Sequence, residues 1–148
     1  MSDKHSRWCV LIPCSNTESW AVPQNCLAEI VTLQAVDAHP PREISWRDQI
    51  VPVLDFGRDE GPPWSEQQRQ TGLIAIFLGL RGEGCDYWGV AIRGSGLTIR
   101  DMATQQMENA PGNAVAHASA AFRMDGKLYQ VPDVAMLQRD LAASLAVA

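Results

Sequence analysis

The residues of this chain whose types could carry a reaction are Cys85 with His117, a thiol and an imidazole, and Asp55 with Glu29, two carboxylates. The first pair would serve nucleophilic attack and the second general acid–base work, both in a small hydrolase. Spacing places neither pair. His5 lies in the polar stretch MSDKHSRW, His39 precedes two prolines and His117 stands among alanines, none beside a Ser or Cys nucleophile. A carboxylate that ends an apolar run, as Asp55 does, more commonly caps a loop or meets an arginine. The cysteines at 9, 14, 26 and 85 lack the C-x-x-C spacing of a zinc site and have no neighbouring histidine, so they read as buried thiols. Cys14, after Pro13 in the polar PCSNTES, is the one expected at the surface. GLRGEG (Gly79 to Gly84) has neither a dinucleotide fingerprint nor a Gly-Lys-Ser/Thr ending and reads as a turn; GSG (Gly94 to Gly96) reads as a bend. No catalytic residue, metal ligand or cofactor is expected, and the chain is read as a non-enzyme.

Tryptophan points to another kind of site. There are five, and most are expected in the core. Trp46 is the exception: it enters ISWRDQIVPVLDF (Ile44 to Phe56) beside Arg47 and Asp48, and Trp and Arg are both enriched at the centres of protein interfaces. The reading is a binding module that shows Trp46 and Arg47 to a partner.

The elements that must position these residues follow from periodicity. Ile50, Pro52, Leu54 and Phe56 share one face of a strand and Val51 and Val53 the other, while Pro52 would break a helix. A proline within a strand predicts an edge or a bulge, so this run is expected at a sheet edge, entered through a turn that exposes Arg47. WCVLIP (Trp8 to Pro13) and SWAVP (Ser19 to Pro23) form one hairpin, and CLAEIVTLQAV (Cys26 to Val36) a longer strand. LIAIFLGL (Leu73 to Leu80) and YWGVAIRGSGLTIR (Tyr87 to Arg100) form a second hairpin whose later strand bends at its glycines. AAFRMDGKLYQVP turns at Asp125-Gly126, the chemistry a type I′ connection prefers. Asp133 caps a closing helix to Ala146, on which Val134, Leu137, Leu141 and Leu145 recur at helical spacing. The polar GRDEGPPWSEQQRQT is read as a mobile surface loop over 58–71, anchored at Trp64. Short strands with one terminal helix give an all-β, small-barrel fold.

At 148 residues the chain is expected to form one domain, 1–148, burying roughly 70% of its unfolded surface. The net charge of -5 and the lack of any basic cluster argue against nucleic acid, which leaves a nucleic-acid-binding barrel as a rival reading beside the hydrolase. The polar amino terminus lacks a signal-peptide core, and no run approaches the ~20 apolar residues that span a bilayer, so a cytoplasmic protein without membrane insertion is expected.

SWAVP, CLAEIV and PPREISWRDQIVPVLDF together resemble the CheW-like family of chemosensory coupling proteins. That pattern runs from a small strand ending in Pro through Val-x-Glu-Ile and Leu-Arg-Gly to an Ile-Val-Pro-Val-Ile-Asp-Leu strand. Order and spacing agree over Ser19 to Phe56, and LIAIFLGL, YWGVAI and DGKLYQVPDVAMLQRDL extend the likeness over almost the whole chain. The resemblance implies two SH3-like, five-stranded β-barrels, interleaved so that the amino-terminal hairpin joins the barrel of the later half. It also implies an apolar seam between the barrels and a C-terminal helix. It implies an adaptor without catalysis: one barrel docks on a chemoreceptor's cytoplasmic tip and on the regulatory domain of a histidine kinase, and the other completes a ring with that kinase. The family's receptor-contacting arginine falls on Arg47, its neighbouring glycine on Asp48, and its Val-x-Glu pair on Leu27 and Glu29. Asp48 is a departure, since aspartate holds positive φ at a cost and adds a charge beside Arg47, which alters docking. Arg93 after Ile92 is a second departure, where the family has Val-Asp. The YQVPD ending is similar to the accessory coupling proteins of type IV pilus chemosensory systems.

Overall fold

Short runs rich in apolar and β-branched residues become strands in the computed structural model, which describes residues 8–15, 18–34, 40–57, 64–66, 71–79, 87–93, 97–104 and 106–147; twelve strands and one α-helix lie among these residues. In chain order the strands are β1 (Trp8–Pro13), β2 (Ser19–Pro23), β3 (Leu27–Gln34), β4 (Glu43–Trp46), β5 (Gln49–Leu54) and β6 (Ser65–Glu66). They continue with β7 (Thr71–Leu78), β8 (Tyr87–Ile92), β9 (Thr98–Asp101), β10 (Glu108–Asn109), β11 (Ala118–Met124) and β12 (Lys127–Pro132), and α1 (Val134–Val147) closes the chain.

Two curled sheets result, ordered β10-β11-β12-β2-β1-β9 and β3-β7-β8-β5-β4, with β6 on β7. They share a plan. In each, one hairpin meets a second hairpin through a parallel pair, β12 with β2 and β5 with β8, and a further strand, β9 or β3, follows. The fold is therefore all-β with two SH3-like barrels, and the amino-terminal hairpin β1–β2 sits among strands of the later half.

Strands apolar on both faces have two covers. On β1, Val10 and Ile12 enter a seam between the sheets, while Leu11 points into its own barrel. On β7, Ala75 and Phe77 enter that seam, while Ile74 and Ile76 fill the second barrel. Trp20 and Trp88 are wholly buried in the seam, where Trp88 stacks on Phe77 at 4.5 Å. Leu137 of α1 completes it, and the helix begins on the Asp133 carboxylate, which accepts the Met136 N–H at 3.1 Å.

The structure corrects several expectations. The proline-bearing strand β5 lies inside its sheet, between β4 and β8, rather than at an edge. Val53 N–H bonds to Arg42 O on the β4 side, so the position of the missing Pro52 donor faces β8, and pairing with β8 begins only at Val53. Tyr87 to Arg100 is not one bent strand: β8 and β9 belong to different sheets, and Gly94 to Gly96 lie outside the described residues. Cys14 is fully buried rather than exposed, its Sγ donating to Ile12 O at 3.7 Å. Of the loop 58–71, only Trp64 to Glu66 and Thr71 are described; Trp64 is buried and its Nε1–H donates to Leu73 O at 2.9 Å.

Candidate partner-binding site

Arg47 and Asp48 are the whole connection between β4 and β5, since Trp46 and Gln49 are already a cross-strand pair. Both turn residues have positive φ, 49° and 63°, the type I′ geometry whose twist suits a two-residue hairpin. Trp46 shares the inward parity of Ile44, so its indole is buried with Val51 and Val53 and meets Tyr87 edge-on at 4.9 Å. Trp46 is therefore buried rather than displayed; it is the floor on which Arg47 rests, with the guanidinium carbon 4.5 Å from the ring centroid.

The first strand of this sheet supplies the other residues singled out from sequence. Leu27 pairs with Phe77 and Glu29 with Ile76, with a register shift between them. The Arg47 guanidinium donates to Glu29 Oε1 at 3.1 Å, and both side chains are exposed. β3 and β4 are the two edges of the sheet, so this ion pair reaches across the opening that would otherwise separate them. Glu29, Trp46, Arg47 and Asp48 thus gather at one end of the second barrel, whereas Leu27, at the start of β3, is half-buried and turns its side chain to the seam between the sheets. Two residues missed from sequence extend the group: Ile50 is 64% exposed and Leu78 46% exposed. β5 starts and β7 ends at this same end, as the Leu78–Tyr87 pair and the parallel β5–β8 register require. The signal for Ile50 was present, because a β-branched apolar side chain two residues beyond a polar turn has little core to enter.

The two carboxylates considered for catalysis are each taken by an arginine. Asp55 takes the buried Arg93 in a two-pronged contact, Nε to Oδ1 at 3.0 Å and a terminal nitrogen to Oδ2 at 2.6 Å, while Glu29 takes Arg47. The two carboxylates do not form an acid–base pair. His117 Nε2 lies 2.6 Å from Glu18 Oε2, which also accepts the Trp20 indole N–H at 2.6 Å, and the imidazole stacks on Phe56 at 4.9 Å. Cys85 lies outside the described residues. No cluster of three or more potential metal ligands occurs among the described residues.

The CheW-like domain family matches residues 9–142, most of the chain. This chain belongs to the CheW-like domain family. A crystal structure of the scaffolding protein TtCheW from Thermoanaerobacter tengcongensis aligns with a TM-score of 0.56 at 16% identity, covering 86% of this chain and 89% of that one; the likeness is one of fold. No curated protein matches the chain by sequence. In this CheW-like chain Arg93 has a structural use. Its N–H donates to Pro13 O of the other sheet at 2.7 Å, its side chain is held by Asp55, and it lies so close over Gly57 that an added Cβ there would stand 2.5 Å from Nε.

Proposed function

We propose that this CheW-like protein is a non-catalytic cytoplasmic adaptor that couples the cytoplasmic tip of a chemoreceptor to the regulatory domain of a chemosensory histidine kinase. The contact surface is the second barrel's open end: Glu29 of β3 and the Arg47-Asp48 turn standing on Trp46, with the start of β3 that carries Leu27 at its border. The observation that carries the reading is the convergence there of the charged Arg47–Glu29 pair with the exposed Ile50 and Leu78, a polar and apolar mixture suited to a partner protein. Among the described residues no helix is long and apolar enough to cross a membrane.

The test is capture of wild type and Arg47→Glu by the organism's own receptor tips and kinase, with circular dichroism on both proteins. The charge reversal is expected to leave the fold intact and to weaken capture by tenfold or more, on the order of 2 kcal/mol for a central interface arginine. Equal capture by two equally folded proteins refutes the surface. Within this role, the YQVPD ending supports a place in a type IV pilus pathway. Deletion of the gene is then expected to abolish twitching and spare swimming.

A further inference from the structure

The molecule contains two hairpin turns that can be compared directly. β11–β12 turns through Asp125 (φ 54°) and Gly126 (φ 75°), closed by the Met124–Lys127 pair. β4–β5 turns through Arg47 (φ 49°) and Asp48 (φ 63°), closed by Trp46–Gln49. Each hairpin occupies the same place in its sheet, beside the parallel junction. Each turn also sends one ion pair to the strand that completes the plan, with opposite polarity: Asp125 to Arg100 of β9, and Arg47 to Glu29 of β3.

The second turn position is where they differ. Glycine accepts positive φ without steric cost, and the first turn has it; the second places a carboxylate in the same backbone region. Among the described residues nothing in the fold uses that carboxylate, for Asp48 makes no ion pair or hydrogen bond there. Arg47 is matched by Glu29 in charge and by Trp46 in stacking. The unmatched charge at the tip is thus negative, two residues from the exposed Ile50. The hairpin needs the backbone conformation but not the carboxylate, and a charge that the fold does not use, displayed on an exposed tip, points to a contact outside it.

We propose that Asp48 is a specificity-determining residue of the coupling surface, selecting a partner protein that sets a Lys or Arg side chain against the turn beside an apolar contact for Ile50. The inference rests on the adaptor reading above and names the chemistry of the partner's face. A carboxylate at this position attracts such a face and repels an acidic one, so it discriminates among homologous partners that a glycine would treat alike.

The test uses the full chain as wild type, Asp48→Asn, Asp48→Gly and Asp48→Lys, captured by the same organism's full-length chemosensory kinase and by its receptors in membrane vesicles, at low and at high salt. Asparagine keeps the size and tolerates the same backbone region, so it removes the charge alone. Asn and Gly are expected to weaken capture of one of the two partners roughly fivefold and Lys roughly twentyfold, with the salt dependence flattened in step. Capture unchanged or tightened by Asn and Gly, while Arg47→Glu still abolishes it, overturns this inference and leaves the adaptor reading standing. Absence of capture by wild type overturns both.

Discussion

Arg93 shows how much one side chain decides where two sheets meet. Its guanidinium is buried, its backbone N–H ties β8 to the end of β1, and Asp55 is its counter-charge. Removing the carboxylate leaves a buried cation with one partner fewer. Asp55 is partly exposed, so Asp55→Ala is expected to cost about 2 kcal/mol, somewhat below the range for a fully buried pair, read as a lower urea midpoint. A loss below about 0.5 kcal/mol would show that water substitutes for the pair. Cys14 makes a second residue-level expectation. Burial, and secondarily the Glu18 carboxylate, push its thiol well above the ordinary cysteine range, so the reactive thiolate is suppressed. Iodoacetamide at neutral pH is expected to spare Cys14 in the folded protein and to modify it in denaturant, as mass spectrometry of the peptides would reveal.

At the scale of elements, the β4–β5 turn trades local comfort for what it displays. Asp48→Gly relieves positive φ and is expected to raise stability by about 0.5–1 kcal/mol, although the same change is expected to weaken partner capture. A gain in urea midpoint together with lost binding would separate the two roles in one variant. Strand β7 holds a different constraint. Trp64 lies flat over Gly72, where an added Cβ would stand 2.3 Å from Cε2 of the indole. Gly72→Ala is expected to lift Trp64 from its site, with a red-shifted emission and a loss of about 1–3 kcal/mol. Gly112→Ala, with no heavy atom within 4 Å of the new methyl, is the matched control and is expected to change stability by less than about 0.5 kcal/mol.

For the whole molecule, the interleaving of strands sets the cooperativity. β1 and β2 are bordered by β9 and β12, and the seam draws Trp20 from one sheet and Trp88 from the other. Each barrel has a core of its own, but loss of either uncovers the seam that the other shares. We therefore propose one folding unit over residues 1–148, for which tryptophan fluorescence and far-ultraviolet circular dichroism are expected to report coincident urea transitions. Two separated transitions would show that the barrels unfold independently.

What the sequence determined by itself is local. Short apolar, β-branched runs marked β1, β2, β5, β7, β11 and β12; Asp125-Gly126 marked a hairpin turn; and Asp133 marked the start of α1. These signals concern neighbours in the chain, for which backbone preference and a two-residue period are enough. What the tertiary structure decided is which surface each face meets. A period of two reveals that both faces of β5 want cover, but not that β8 lies on one side of it, which is what places Pro52 inside a sheet. The same limit hid Trp46 beneath Arg47 and Cys14 in the seam. It also hid the pairs Arg47–Glu29, Arg93–Asp55 and His117–Glu18, whose partners are 18, 38 and 99 positions apart. Charge pairing over such separations follows only from the way the two sheets close, because the chain between the partners carries no record of the distance across space.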